Sequence, residues 1–378
     1  MSRADDSTPT TSLRVAIVEI RQRADACPGV FATHDAADGA LARVRLPGGR
    51  VTAAQLRELA SCAADLGDGE LHLTSRGNLQ LRGLERDDPR LARRLAAAGL
   101  LPRFSHERVR NYLASPVPEV DDLVAALDRA VCAEPELAAL PGRFLFAVDS
   151  GRGDVAGERA DVTWCGGAFL IDGEDTGVRV ARERAVEALV AAALAFMASR
   201  GDAWRLRESA VARARVVDAV RPLGTVVEPV RPVLAGPPAV DGRVVAPWFG
   251  CLSGAQARRL AALAPSVVIT PWRSIVLPEA HPSLAEAGFF VDPSTPGVAL
   301  SACIGSPGCA KSHADVRAEA SRVAAALPVS LRAHFSGCDR RCGRPRGDHV
   351  DVVATDDGGR LVDGQRFSSV DEWREGRV

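Results

Sequence analysis

Hydrophobic and polar positions follow the same order in the two halves of the chain. The segments VTAAQLRELA (51–60) and LSGAQARRLA (252–261) both place apolar residues at helical spacing. Each has a Thr or Ser at the position that precedes a helix, followed shortly by Ala-Gln. The pattern predicts two related helices, of which the first stops at Gly67 and the second at Pro265.

A strand candidate follows each of these helices, at 70–84 and at 266–278, and Thr74 aligns with Thr270. Three further pairs of segments then match in the same order. They are RNYLASP (110–116) with SACIGSP (301–307), LPGRFLFAVDSG (140–151) with LPVSLRAHFSG (327–337), and RADVTW (159–164) with HVDVVA (349–354). Because all five matches keep one order, the sequence predicts a duplicated unit.

The predicted fold class is α+β, with a pseudo-twofold arrangement of two units that each join a helix–strand module to a larger α/β module. The expected segments are 21–104, 105–235, 236–292 and 293–378, and the Pro-rich stretch 229–242 is the expected linker. A ligand is expected at the seam between the two halves.

Polar side chains recur at every second position of the first strand candidate. They are His72, Thr74, Arg76, Asn78, Gln80 and Arg82. This period places them on one face of a strand, while leucines at 73, 79 and 81 occupy the other face. A solvated edge strand would show the same alternation. However, no acidic residue lies within the row, so we expect a receptor for a polycarboxylate.

Other arginines extend this predicted receptor. Arg43 and Arg45 stand two residues apart in a strand-like segment, so both should point to one face. Arg110 and Arg143 lie in the loops that the repeat aligns. Arginine is well suited to this task because its planar guanidinium matches the geometry of a carboxylate.

Four of the nine cysteines lie in two short segments rich in glycine and proline. Cys303 and Cys309 are separated by five residues, and Cys338 and Cys342 by three. The five-residue gap fits a structural zinc site poorly, whereas iron–sulfur clusters accept more varied spacing. The alternative is that these are unrelated buried thiols, as we expect for the other five. The first unit has Tyr112 where the second has Cys303, so only the second unit is expected to bind a cluster.

Composition narrows the functional classes. The net charge of −1 predicts neither nucleic-acid nor membrane binding, and lysine occurs only at Lys311 among 47 basic residues. The first residues contain no apolar signal segment, and the apolar run 185–199 is too short to span a bilayer, so it predicts a core helix. A cytoplasmic location is expected. No paired histidines and no Gly-x-Gly-x-x-Gly after a strand are present, which disfavours a built-in nicotinamide or flavin domain.

The motifs RVRLPGG, LTSRGNLQLRG, RNYLASP and LPGRF, together with the cysteine spacing, resemble the sirohaem-dependent sulfite and nitrite reductase superfamily. The resemblance runs from CPGVF (27–31) to about residue 355. It implies two ferredoxin-like half-modules, two larger α/β domains and a [4Fe–4S] cluster. The implied cluster ligands are Cys303, Cys309, Cys338 and Cys342, the last of which bridges to the sirohaem iron in the reductases.

The same resemblance assigns roles to the polar residues. It implies that Arg43, Arg110 and Arg143 match the anion site of the reductases, where Leu145 replaces a second lysine. It also implies that tetrapyrrole carboxylates are held at His72, Arg76, Gln80 and Arg82, and Asn78 lies in the same row. The lost lysine disfavours reduction of sulfite or nitrite, because that chemistry needs concentrated positive charge over the iron.

Within the superfamily, CPGVF, LTSRGNLQLRGL and PGRFLFAVDSG are similar to the precorrin-3B synthases of aerobic cobalamin biosynthesis. This similarity implies a monooxygenase that hydroxylates precorrin-3A with O₂ and closes a lactone. Electrons would come from NADH through an external ferredoxin or reductase, and a mononuclear non-haem iron would accompany the cluster. Two alternatives remain: a sirohaem sulfite or nitrite reductase, and a non-catalytic iron–sulfur electron carrier.

Overall fold

The strands of the computed structural model, which describes residues 27–86 and 88–376, form four sheets. In chain order they are β1 (His34–Ala36), β2 (Gly39–Val44), β3 (Arg50–Thr52), β4 (Glu70–Leu73), β5 (Leu79–Leu84), β6 (Tyr112–Ala114), β7 (Phe146–Asp149), β8 (Val162–Cys165), β9 (Ala168–Ile171), β10 (Glu174–Arg179), β11 (Thr225–Val226), β12 (Val244–Pro247), β13 (Cys251–Ser253), β14 (Ser266–Ile269), β15 (Ile275–Val276), β16 (Phe289–Phe290), β17 (Leu300–Ala302), β18 (Ala333–Ser336), β19 (Val350–Ala354), β20 (Arg360–Val362) and β21 (Gln365–Phe367).

The helices complete a mixed α and β fold, as expected. In chain order they are α1 (Ala53–Leu66), α2 (Pro89–Ala97), α3 (Asp121–Ala133), α4 (Ala185–Ser199), α5 (Ala210–Val220), α6 (Gly254–Leu263), α7 (Val316–Val323) and α8 (Val370–Glu375). The apolar run 185–199 forms α4, which packs into a core, and none of the helices in the described ranges has the length and apolar character needed to cross a membrane. The expected start of the first module at residue 21 lies outside the described residues.

Two five-stranded antiparallel sheets exchange an edge strand between the halves of the chain. The first has the order β1-β2-β5-β4-β13, so its last strand comes from the second half. The second has the order β16-β12-β15-β14-β3, and its last strand comes from the first half. Helices α1 and α6 pack together, and one hydrophobic core runs through both sheets. The two half-modules therefore exchange strands and share one hydrophobic core.

The capping residues of α1 and α6 confirm the repeat at the level of single hydrogen bonds. Gln55 N donates to Thr52 Oγ1, and Thr52 N donates to the Gln55 side chain. Ser253 and Gln256 make the same reciprocal pair at the start of α6. Each pair satisfies two backbone donors that a helix would otherwise leave free.

The first strand candidate proves to be two strands, which corrects the expectation of one strand over 70–84. Strands β4 and β5 form a hairpin, and its turn places Gly77 at a φ of 61°. The turn after β14 has the same shape, with Arg273 at a φ of 60°. Asn78 N donates to Thr74 Oγ1 in one turn, and Ser274 N donates to Thr270 Oγ1 in the other. A shared threonine hydroxyl thus explains why Thr74 and Thr270 align.

The two larger α/β domains also repeat one topology. In the first, β6, β7 and β8 are parallel, and β9 and β10 continue the sheet antiparallel. In the second, β17, β18 and β19 are parallel, and β20 and β21 continue antiparallel. Helices α3, α4 and α5 cover one sheet, and α7 and α8 cover the other. The pseudo-twofold fold is thus confirmed.

Glycine is required at Gly49, where the two exchanged sheets approach each other. Gly49 has a φ of 78°, and a Cβ atom there would overlap the carbonyl oxygen of Ile269 on β14. Gly69 has a similar φ of 85°, but a Cβ atom there would meet open space.

We expect Gly49→Ala to lower the free energy of unfolding by about 3 kcal/mol, combining left-handed strain with overpacking. Gly69→Ala should cost only about 1 kcal/mol, because it adds the strain alone. Denaturant unfolding followed by circular dichroism measures both variants. Equal costs would show that Gly49 is not a close-packed contact between the halves.

Candidate functional site

A row of polar side chains crosses the first sheet from strand to strand. Arg43 on β2 is paired with Gln80 on β5, Gln80 with His72 on β4, and His72 with Cys251 on β13. Cross-strand partners point to the same face of a sheet, so the four side chains form one rung. The Arg43 guanidinium donates to Gln80 Oε1 over 2.9 Å, and His72 Nδ1 lies 3.1 Å from Cys251 Sγ.

Three of the four positions in the corresponding rung of the second sheet are apolar. Val268 on β14 stands where His72 stands on β4, and Val276 on β15 replaces Gln80. The rung continues to Val244 on β12, in the place of Arg43, and to Arg50 on β3. Arg50 is held by Asp121 and by nearby backbone carbonyls. The duplicated sheets have therefore diverged, since valines in the second sheet replace His72, Gln80 and Arg43 of the first.

Three arginines converge at one end of the polar rung. Arg43 and Arg45 both approach the sulfur of Cys27, with nitrogen–sulfur distances of 3.6 and 3.4 Å. Arg76 lies in the hairpin turn and donates to the backbone carbonyls of Gly142 and Arg143. These contacts place Arg76 between the first sheet and the first α/β domain.

The positive charge of this arginine group is only partly compensated. Burial and the neighbouring Arg205 lower the pKa of Arg76 to about 10. Burial also lowers the pKa of Arg45 to about 10, although Cys27 and Glu107 favour its charged form. The Nε atoms of Arg43 and Arg45 are buried and have no hydrogen-bond partner within the described residues. Buried donors without partners are costly, so an anionic ligand would stabilise this group.

The four motif cysteines meet on two loops of the second α/β domain. Cys303 directly follows β17, and the backbone N–H of Gly337 donates to its sulfur over 3.2 Å. Burial raises the pKa of Cys342, and the neighbouring thiols of Cys303, Cys338 and Cys309 raise it further. A thiol at Cys342 that is influenced by the other three, together with a backbone N–H aimed at Cys303 Sγ, fits an iron–sulfur cluster.

Arg317 on α7 connects the cysteine loops to the polar rung. Its Nε donates to the carbonyl oxygen of Cys303 over 3.2 Å, and its Nη2 lies 2.9 Å from Cys251 Sγ. Its Nη1 lies 3.2 Å from Glu70 Oε2 on β4. Arg273, in the turn after β14, donates to the carbonyl of Gly343 beside the cysteines. The two arginines join the exchanged sheets to the cysteine loops.

His72 lies in the centre of a second polar network. Its Nε2 is 2.8 Å from Asp68 Oδ2 and its Nδ1 faces Cys251. Burial alone would lower the pKa of His72, but the hydrogen bonds to Asp68 and Cys251 outweigh it and raise the pKa to about 9. The donor atoms of Glu70, His72 and Cys251 all lie within 4.8 Å of one another.

Leu145, the residue in place of a basic side chain, is buried in a small apolar cluster. It packs with Leu113, Ala147 and Val155, and Trp272 covers the cluster from the turn after β14. The Trp272 indole N–H donates to Glu158 over 2.9 Å, which holds the ring in position. The side chain at 145 therefore contributes apolar packing and no charge.

Four of the eight predicted binding residues have other contacts. Asn78 is fully buried and accepts from Leu46 N. Arg82 makes two hydrogen bonds of 2.7 Å to Asp38. The Arg143 guanidinium lies 4.7 Å from the centre of the Trp204 ring. The fourth residue, Arg110, is paired with Asp128.

These contacts correct the expectation that the polar row lacks acidic partners. The acidic groups are supplied by other segments, since Asp38 pairs with Arg82 and Asp68 with His72. The structure brings Arg43, His72, Gln80 and Arg76 together and leaves Asn78, Arg82, Arg110 and Arg143 outside that group.

Arg110 illustrates the difference between a buried ion pair and a binding site. Its side chain is 4% exposed, and its Nε and Nη2 donate to the two carboxylate oxygens of Asp128. We expect Arg110→Met to lower the free energy of unfolding by about 3–5 kcal/mol, because it leaves the Asp128 charge without its partner. Tetrapyrrole affinity of the folded variant should stay within about twofold of the wild type. Weaker binding with unchanged stability would return Arg110 to the site.

Sequence reasoning missed several residues of the site. They are Cys27, Asp68, Glu70, Arg205, Cys251, Arg273 and Arg317. Arg45 was identified by its strand-like spacing from Arg43, and both arginines contact Cys27. Cys251 joins the rung only because β13 is exchanged between the sheets, and Arg317 reaches it from the distant helix α7. The sequence near either residue carries no signal for these contacts.

Comparisons with known proteins agree with this architecture. The family model "Nitrite/Sulfite reductase ferredoxin-like half domain" matches residues 34–98. A precorrin-3B synthase from Sinorhizobium sp is 27% identical over 387 residues, which cover 90% of this chain and 83% of that protein. A ferredoxin–nitrite reductase from Synechococcus elongatus is 35% identical over 127 residues, or 30% of this chain and 25% of that enzyme.

The solved structure of the NirA protein from Mycobacterium tuberculosis shares the fold. The match has a TM-score of 0.64 and a sequence identity of 21%, and covers 85% of this chain and 73% of that chain. The chain therefore has the fold of NirA, carries a nitrite/sulfite reductase ferredoxin-like half domain, and resembles both the nitrite and sulfite reductases and precorrin-3B synthase.

Proposed function

We propose that this protein is an oxidoreductase, and specifically a precorrin-3B synthase-like monooxygenase acting on precorrin-3A in cobalamin biosynthesis. The observation that carries the proposal is the convergence of Arg43, Arg45 and Arg76 beside Gln80, where the buried Nε donors of Arg43 and Arg45 have no partner among the residues that the structure describes. A tetrapyrrole with several carboxylates supplies matching acceptors. The similarity to precorrin-3B synthase over 90% of the chain supports the same substrate.

In this proposal the arginine group binds and orients the substrate. Arg43 and Arg45 approach from β2 and its end, and Arg76 approaches from the hairpin turn, so neighbouring carboxylates on one edge of a ring could be held at once. The backbone contacts of Arg76 to Gly142 and Arg143 fix its guanidinium in advance. Such preorganisation holds one meso carbon in the reacting position without further ordering of the protein.

The reaction consumes O₂ and two electrons. One oxygen atom adds to the C=C double bond at the meso carbon, whose π bond breaks, and it becomes the meso hydroxyl group by taking the proton of a substrate carboxyl group. An oxygen of that carboxyl group bonds to the neighbouring ring carbon and closes the lactone. The other oxygen atom leaves as water with two protons. An external NADH-linked ferredoxin or reductase would supply the two electrons. A cytoplasmic location remains a prediction.

Cys303, Cys309, Cys338 and Cys342 would hold a [4Fe–4S] cluster, which supplies single-electron transfer when bound. The proximity of Cys342 to the other three thiols and the N–H of Gly337 aimed at Cys303 support this assignment. Arg317 keeps the loop of Cys303 against the first sheet, and Arg273 joins the loop of Gly343 to the turn after β14. Electrons delivered to these loops would therefore arrive near the first sheet, where the arginine group lies.

A sirohaem-dependent sulfite or nitrite reductase is the second candidate. It is favoured by the 35% identity to a ferredoxin–nitrite reductase over 127 residues. Leu145 and its apolar neighbours weigh against it, because the anion site there lacks the second basic group. In that candidate the arginine group would hold the carboxylates of a resident sirohaem.

The absorption spectrum of anaerobically purified protein separates the two candidates. The monooxygenase should show the broad absorption of an iron–sulfur cluster without a Soret band. The reductase should show an intense Soret band and a red band from sirohaem. An extractable sirohaem at one per chain would overturn the proposed function.

A further inference from the structure

Glu70, His72 and Cys251 form a cluster of three different metal-binding groups at the seam between the two halves. Glu70 and His72 stand two residues apart on β4, so their side chains share one face. Cys251 on β13 is the cross-strand partner of His72. One carboxylate, one imidazole and one thiol therefore approach one another from two strands that come from different halves.

We infer that Glu70 Oε2, His72 Nδ1 and Cys251 Sγ bind a single divalent transition-metal ion. Their donor atoms lie within 4.8 Å of one another, as ligands of one ion would. A set of one sulfur, one nitrogen and one oxygen suits borderline ions such as Fe(II) or Zn(II) and disfavours Mg²⁺ and Ca²⁺. Three protein ligands leave at least one coordination position open.

The surroundings of His72 have the arrangement typical of a metal ligand. Its Nε2 lies 2.8 Å from the carboxylate of Asp68, which leaves Nδ1 facing Cys251 and the other donors. Metal-binding histidines commonly donate their second N–H to a carboxylate, which fixes the ring and its tautomer. Asp68 is thus a positioning residue for the proposed ligand.

The guanidinium of Arg317 is a positive charge that already contacts this cluster. Arg317 places Nη1 3.2 Å from Glu70 Oε2 and Nη2 2.9 Å from Cys251 Sγ. The guanidinium contacts two of the three proposed ligands, so the cluster attracts a cation. A divalent ion would displace these two contacts, while Arg317 Nε can keep its bond to the carbonyl of Cys303.

This metal site rests on the proposed function, and it puts a mononuclear metal ion on the same rung of the first sheet as Arg43 and Gln80. It also changes the expectation for His72, which becomes a metal ligand and no longer a ligand of substrate carboxylates. The metal would lie between the substrate face and the loop of Cys303. Metal binding can be measured without substrate, so it is tested separately from the reaction.

Cobalt(II) is the appropriate probe, added anaerobically to the full chain after chelator treatment and with its iron–sulfur cluster in the oxidised, EPR-silent state. Equilibrium dialysis gives the stoichiometry and affinity, and low-temperature EPR detects high-spin Co(II). We expect one Co(II) per chain. His72→Ala and Cys251→Ser should weaken binding more than about 100-fold, and Asp68→Asn about 10- to 100-fold.

Two further variants make the test specific. Glu70→Gln keeps the shape of the side chain and should weaken Co(II) binding, whereas Cys62→Ser, in the buried face of α1, should bind like the wild type. Arg317→Met should bind Co(II) more tightly because it removes the competing cation. Circular dichroism and cluster absorption verify that each variant is folded.

The inference is overturned if the wild type binds no Co(II) at one per chain, or if Cys251→Ser keeps the wild-type affinity and EPR signal. Binding by Arg317→Met alone would also overturn it, since Arg317 would then be the resident cation. Loss of this site with intact oxygen transfer to precorrin-3A would leave the proposed function standing. If the protein binds one Co(II) per chain but transfers no oxygen to precorrin-3A, the proposed function is wrong and the metal site stands.

Discussion

Replacement of Cys342 by alanine is expected to remove the iron–sulfur cluster completely. Cys342 is the most exposed of the four motif cysteines, and the other three thiols lie close enough to raise its pKa. A cubane cluster needs a ligand at each iron, and three thiols leave one iron open to solvent. We expect the same loss for Cys303, Cys309 and Cys338. Iron and acid-labile sulfide per chain, together with the absorption spectrum, measure the effect.

Cys62→Ala is the matched control for this prediction. Cys62 is fully buried in α1, and burial raises the pKa of its thiol to about 12, despite the nearby Arg94. A thiol with such a high pKa is a poor metal ligand at neutral pH. The control should retain full iron and sulfide. A Cys342→Ala protein with four irons and four sulfides per chain would contradict the assigned ligands.

Replacement of Arg76 by alanine is expected to weaken precorrin-3A binding by about 10- to 150-fold. The estimate corresponds to loss of one charge-assisted interaction worth about 1.5–3 kcal/mol. Burial and the like charge of Arg205 lower the pKa of Arg76, so a carboxylate partner would stabilise its charged form, and its two backbone contacts hold the guanidinium in place. The cluster should be unaffected, since the motif cysteines lie in the other half of the chain.

Anaerobic equilibrium titration with precorrin-3A measures this affinity without turnover. Arg90→Ala is the control, because Arg90 lies on the surface of α2 and pairs with Asp88. It should bind precorrin-3A with wild-type affinity. If Arg76→Ala retained that affinity as well, the arginine group would not hold the substrate, and the electron-carrier alternative would gain support.

Much of the fold could be predicted because its signals are local. The capping pairs at Thr52 and Ser253, and the threonine turns at Thr74 and Thr270, are each specified within five residues. Duplication made these signals visible twice. The strand exchange had no comparable signal, since the pairing of β4 with β13 joins residues about 180 positions apart.

The candidate site was predictable only in part for the same reason. Spacing placed Arg43 with Arg45 on one face, and Arg76 with Gln80 in one polar row. The structure brings Arg43 to Gln80 and places Arg76 in the hairpin turn between β4 and β5. Spacing gave no information about the partners of Arg82 and Arg110, because Asp38 and Asp128 come from other segments. Arg82 and Arg110 therefore have acidic partners in the fold that are distant from them in the sequence.

If the arginine group holds a tetrapyrrole as substrate, an oxygen atom from O₂ must appear in that tetrapyrrole. Purified protein is incubated with precorrin-3A, NADH, a ferredoxin with its reductase, and ¹⁸O₂, and the product is analysed by mass spectrometry. We expect a product that carries one ¹⁸O atom and forms only with O₂ and reductant present. Unchanged precorrin-3A, in the presence of an intact cluster and with sulfite or nitrite reduced instead, would contradict it.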